Sequence, residues 1–93
     1  MKIIWSKIAI NQIKILKKYI SFKTISDLRN RTKVLKDYPF IGQKETFLNA
    51  RTEEFRYLLE GNYKIIYWVD KDIIRIYSIF DTRQNPEKLK NLE

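Results

Sequence analysis

Phe55-Arg56-Tyr57-Leu58-Leu59-Glu60-Gly61-Asn62-Tyr63-Lys64-Ile65-Ile66-Tyr67-Trp68-Val69 is the stretch on which the fold turns. Two β-prone runs, Phe55–Leu59 and Tyr63–Val69, flank Gly61-Asn62, a dipeptide suited to a tight hairpin turn. Within the second run Tyr63, Ile65, Tyr67 and Val69 alternate with Lys64, Ile66 and Trp68, the period of a strand. Asp70-Lys71-Asp72 turns the chain again, and Ile73–Phe80 is long and β-branched enough for a further strand. Three consecutive antiparallel strands are the expectation for the C-terminal half.

The other half reads differently. Lys2–Trp5 is short and apolar, a first strand, and Ser6 offers a helix N-cap. Ala9, Ile13, Leu16 and Ile20 then recur at helical spacing, so a helix is expected over about Lys7–Ser21. Thr24-Ile25-Ser26-Asp27 fits a capping box and places the start of a second helix near residue 25, with Leu28, Thr32 and Leu35 inward. Pro39 stops that helix at Asp37 or Tyr38. Phe40–Thr52 has no period and reads as a long loop, and Pro86 suits the first position of a short terminal helix. The order β-α-α-β-β-β-(α) describes one α+β domain over residues 1–93: an N-terminal helical hairpin packed on a small twisted antiparallel sheet.

Composition narrows the chemistry. At 93 residues, with 44% hydrophobic residues and few Gly or Pro, the chain builds one core. It has no Cys and no His, which removes disulfides, thiolate nucleophiles, zinc fingers and the commonest general base. Two glycines, at 42 and 61, cannot form a phosphate-binding loop. Asp70 and Asp72 are turn formers, so neither a metal nor a cofactor is expected. The opening apolar run breaks at Lys7, too early for a signal peptide. No stretch approaches a membrane span, so a cytoplasmic protein with no membrane partner is expected.

The net charge of +8 is one-sided. Residues 1–44 hold eleven Lys/Arg against Asp27 and Asp37, a net +9, while residues 45–93 hold eight against nine acids, a net −1. A basic hairpin of this kind suits a polyanionic partner. Lys14, Lys18, Arg29 and Lys33 are its candidate RNA or anion contacts. On the sheet, Arg56, Lys64 and Arg83 lie on or just after three consecutive strands and can converge on one face to hold a phosphate or carboxylate. They equally suit ordinary edge positions, paired with Glu53, Glu60 or Asp81.

Several stretches carry a family resemblance. Trp5-Ser6 with Ala9, then Tyr19-Ile20-Ser21, Tyr38-Pro39-Phe40-Ile41-Gly42, the hairpin stretch above, and Asp81-Thr82-Arg83-Gln84-Asn85-Pro86 occur in the order seen in the RelE/ParE family of bacterial toxins, which the chain resembles over nearly its whole length. The resemblance implies the toxin half of a type II toxin–antitoxin pair, with a cognate acidic antitoxin as partner. Members resembling RelE enter the ribosome and cut mRNA; members resembling ParE inhibit DNA gyrase. By position, Arg56, Lys64 and Arg83 match the family's basic residues and are the candidate catalytic set. Ribosome-dependent mRNA cleavage is the first expectation and gyrase inhibition, or a decayed toxin that only binds, the alternative. In the cleavage reading the guanidinium groups stabilise phosphorane charge, Lys64 serves as acid or base if neighbours lower its pKa, and Glu60 or a Tyr is the base.

Overall fold

The computed structural model describes residues 1–46 and 53–91, the side chains of 90 and 91 excepted. Its strands are β1 (Lys2–Trp5), β2 (Gln43–Lys44), β3 (Arg56–Glu60), β4 (Tyr63–Asp70) and β5 (Ile73–Asp81), and its helices α1 (Lys7–Leu16) and α2 (Phe22–Thr32). Short 3-10 helices follow at Lys33–Lys36 and Pro86–Asn91. The strands form one sheet in the order β1-β5-β4-β3-β2.

The β3-β4-β5 meander is antiparallel, as its alternation requires, but the whole sheet is mixed. β1 joins β5 in parallel, Lys2 opposite Ile73 through Trp5 opposite Ile76. The expected purely antiparallel sheet is corrected for a topological reason: the helices carry the chain across one face and back, so β1 and β5 run the same way. Residues 43–44, read as loop, add a two-residue strand to β3. Residues 47–52 of that expected loop lie outside the described part.

Helix boundaries shift with the caps. The Ser6 hydroxyl accepts the Ala9 N–H at 3.0 Å, as expected. After Leu16 the amides of Lys18 and Tyr19 bond three residues back, to Ile15 and Leu16, so α1 ends a turn earlier than the apolar spacing suggested. α2 starts three residues before Ile25 because Ser21 is the cap: its hydroxyl accepts the Thr24 N–H at 3.1 Å. Of the expected inward residues, Ala9, Ile13, Ile25, Leu28, Thr32 and Leu35 are buried, while Leu16 and Ile20 are half-buried and pack against the core.

A register irregularity in β4-β5 decides which side chains face the helices. Ile66 lies opposite Ser78 and Tyr67 opposite Ile76, leaving Tyr77 as the extra residue of a bulge. Ile76 and Ile79, three apart, therefore join the same helix-side core with Leu58, Ile65 and Tyr67. Tyr77 and Phe80 join Phe55, Ile66 and Leu89 in a second core on the other face. Leu89, from the terminal 3-10 helix, covers that face.

Both edges of the sheet extend beyond their short outer strands, and helix side chains close them. Past the end of β1, the Gln12 side-chain carbonyl accepts the Ile79 N–H at 2.7 Å and its amide donates to the Ser78 hydroxyl at 3.0 Å. Past the end of β2, the Arg31 guanidinium donates to the Leu59 carbonyl at 3.2 Å. Such pairing satisfies backbone groups that otherwise invite another strand. As a result α1 packs chiefly on β5 and α2 on β3, and a cleft opens between them.

Candidate functional site

Strand alternation separates two of the three candidate sheet cations. Arg56 lies opposite Tyr67, on the helix side, whereas Lys64 lies opposite Leu59, on the face shared by Tyr57 and Ile66. The convergence expected from spacing is therefore not found for Arg56 and Lys64: residues an even number apart share a face only while no turn intervenes. Asp81, to which Arg83 is bonded, lies opposite Tyr63 on the helix side. Tyr63 and Tyr67 are four positions apart on β4, so Asp81 and Arg56 stand about 13 Å apart along the sheet.

Each of the three has protein partners. Arg56 Nη1 donates to the carbonyls of Gly42 at 2.9 Å and Phe40 at 3.3 Å, and Nη2 meets Glu54 at 3.3 Å. Its guanidinium carbon lies 5.4 Å from the Phe40 ring centre. Gly42 in turn donates its N–H to the Tyr67 hydroxyl at 2.9 Å. A Cβ on Gly42 would stand 2.6 Å from that hydroxyl and 2.8 Å from the Tyr57 carbonyl, so the residue is glycine for space. Burial pushes the Tyr67 phenol above its ordinary value, with the Gly42 N–H and the Arg56 charge pulling the other way. Arg56, Gly42 and Tyr67 together tie the Phe40–Gly42 segment to the sheet.

Lys64 Nζ meets the Glu45 carboxylate at 2.9 Å and lies 4.3 Å from the Tyr57 ring centre. The Glu45 side chain is 1% exposed. Sequence reasoning missed this carboxylate, because Glu45 sits in an aperiodic stretch and only the pairing of β2 with β3 brings it under Lys64. Glu60, a candidate base by its place in the sequence, is opposite Tyr63 at the turn. Arg83, well exposed, grips Asp81 with two parallel bonds, Nε to Oδ1 at 2.9 Å and Nη2 to Oδ2 at 2.8 Å. That fork holds the Asp81 carboxyl below its usual range, with the Arg83 N–H and charge adding to it.

The hairpin cations fare differently. Lys14, Arg29 and Lys33 line the cleft between α1 and α2, a cavity of about 730 Å³ closed on its third side by β1. Lys18 does not line it. At the tip of the hairpin Tyr19 and Phe22 stand 79% and 86% exposed, an unusual position for two large aromatic side chains. Among the described residues no cluster of acidic side chains is arranged to hold a metal ion, and no helix is long and apolar enough to cross a membrane.

The family model described as ParE toxin of type II toxin-antitoxin system, parDE, matches residues 3–86. No curated individual protein matches the chain. The matched span takes in every strand and both α-helices, including the Phe40–Gly42 segment, the hairpin turn at Gly61-Asn62 and the terminal Arg83. An α+β fold with a five-stranded sheet and two covering helices, matched from β1 to Pro86, makes this chain a member of the RelE/ParE family of toxins from type II toxin–antitoxin systems.

Proposed function

We propose that this toxin arrests growth by binding its target in a stable complex, with DNA gyrase as the target, rather than by cutting RNA. The observation that carries this reading is the dispersal of the candidate catalytic cations. Arg56 and Lys64 lie on opposite faces of the sheet, and each is bonded to the protein itself. Cleavage by a ribose 2′-hydroxyl needs a base and charge-stabilising donors around a single phosphate, whereas inhibition by occupancy needs only a complementary surface. The exposed Tyr19 and Phe22 at the hairpin tip, and the exposed Arg83 fork, are the surfaces offered to that target; a cognate acidic antitoxin competes for or occludes them.

A second reading rests on one pair. Glu45 and Lys64, 2.9 Å apart beside Tyr57, are a carboxylate and an ammonium at proton-transfer distance, and supply the acid–base couple that RNA cleavage requires. Two measurements after induction separate the readings: plasmid supercoiling, and mapping of mRNA 5′ ends during translation. Gyrase inhibition relaxes plasmids and leaves mRNA intact. New mRNA ends with unchanged supercoiling would overturn the first reading in favour of the second.

A further inference from the structure

Among the described residues, the cations that pair with carboxylates and the cations that line the cleft between α1, α2 and β1 are separate sets, and a few further cations, Lys7, Lys18 and Lys71 among them, belong to neither. Lys23, Lys44, Arg56, Lys64, Arg75 and Arg83 each meet a carboxylate within 4 Å. None of them lines the cleft between α1, α2 and β1. The cleft is lined instead by Lys2, Lys14, Lys17, Arg29, Lys33 and Lys36, and none of these six has an ion-pair partner among the described residues. No acidic residue lines it. Six exposed like charges around one recess repel one another and raise the positive potential within it. Folding alone does not call for that arrangement, since α1 and α2 need only their inward residues buried. An anion that enters the cleft removes the repulsion.

The shape narrows the class of anion. The cavity, about 730 Å³, lies within the roughly 300–1,000 Å³ of small-molecule sites. Its cations come from β1, from α1 and its C-cap Lys17, and from the α2–3-10 segment, so they reach the cleft from three elements rather than from one. A peptide presents single carboxylates spaced along its length; a chain of phosphates concentrates several acceptor oxygens in one place and suits such a set of cations. Most of the remaining wall is apolar, from Ile3, Trp5, Ile10 and Ile13, with Met1 and Thr32 completing it. A flat heterocycle stacks or packs there. We propose that the cleft between α1, α2 and β1 binds a nucleoside polyphosphate, phosphates among the six cations and base against Trp5 and the isoleucines. This site lies apart from Arg56, Lys64 and Arg83, and its test does not depend on the identity of the growth-arrest target.

The test uses the purified full chain and a fluorescently labelled ATP as probe, read by anisotropy at physiological salt, with unlabelled ATP, adenosine and inorganic tripolyphosphate as competitors. Saturable one-site binding is expected, with ATP competing better than tripolyphosphate and adenosine competing least. Replacing Lys14, Arg29 and Lys33 together by Ala should weaken binding by at least about 30-fold, since bonds to charged partners are the strong ones. Replacing Lys7, Lys71 and Lys88 by Ala removes as much charge outside the cleft and should change affinity by less than about 3-fold. All six are exposed, so both variants should melt within a few degrees of the parent, checked by circular dichroism. Equal weakening by the two triple variants would reduce the effect to net charge and overturn the site. Tripolyphosphate competing as well as ATP would overturn the nucleoside assignment. Failure of ATP to bind while an acidic amphipathic peptide does would identify the cleft as a peptide groove and overturn the proposal.

Discussion

Arg56 separates a structural from a reactive role most sharply, through the variants Arg56→Ala and Arg56→Lys. In the folded chain its guanidinium holds the buried Gly42 carbonyl at 2.9 Å and the Phe40 carbonyl at 3.3 Å. Removing a charged donor from a buried carbonyl costs about 1.5–3 kcal/mol. Phe40 is exposed, so its carbonyl regains water and adds little. The ion pair to Glu54 lies at the surface and contributes at most about 1 kcal/mol, and the packing on the Phe40 ring contributes a similar amount. Arg56→Ala should therefore lose about 2–4 kcal/mol, of which the Gly42 bond is the larger part. For a domain of this size that lowers Tm by roughly 10–30 °C. Arg56→Lys keeps the charge but not the fork, so it should recover about half of the loss. Urea unfolding measures the stability, and growth arrest is scored at matched amounts of folded protein. The expected result is a weaker fold whose remaining folded fraction still arrests growth. An Arg56→Ala protein within about 0.5 kcal/mol of the parent that no longer arrests growth would refute this account and return Arg56 to the reactive set.

Three further outcomes follow from the same contacts. Gly42→Ala places a methyl 2.6 Å from the Tyr67 hydroxyl and should cost about 1–3 kcal/mol in urea unfolding, a cost that Tyr67→Phe in the same chain partly relieves by removing the clashing oxygen. Gln12→Ala leaves the buried Ile79 N–H without its 2.7 Å acceptor and should cost about 1–3 kcal/mol, with faster hydrogen exchange at Ile79 than elsewhere in β5. Arg83 holds the Asp81 carboxyl low, so the stability this carboxylate contributes is complete above the ordinary carboxylate pKa and is lost as pH falls through its lowered value. Arg83→Ala should erase that acid-limb contribution between about pH 4 and lower pH while changing thermal stability at neutral pH little, because the pair is exposed; an unchanged acid limb would show that the fork exists without energetic coupling.

The local elements were legible because each depends on neighbours in sequence. Alternation from Tyr63 to Val69 marks β4 regardless of what it packs against, and Ser6 caps α1 with an amide three residues on. The inward residues of α2 follow from a 3.6-residue period. The bulge at Tyr77 was not legible: Ile73–Phe80 alternates poorly, and nothing within it says which residue drops out of register with β4. Nor was the true cap of α2: Thr24 heads the capping-box pattern, but Ser21, in extended backbone, is the residue whose hydroxyl accepts the Thr24 N–H.

For the candidate site the division is the same. Residue type and spacing alone determined that this chain has no thiol or imidazole chemistry, that its positive charge lies in the N-terminal half, and that Arg56, Lys64 and Arg83 lie on or beside the last strands. Three decisions needed the tertiary structure: that Arg56 and Lys64 face opposite sides, that Glu45 lies under Lys64, and that six cations with no ion pair among the described residues line one cleft. The physical reason is range. Periodicity and capping are set by bonds three or four residues long, whereas strand register, the pairing of β2 with β3 and the splay of α1 from α2 are set by packing between residues far apart in the chain, such as Gly42 with Tyr67 and Gln12 with Ile79.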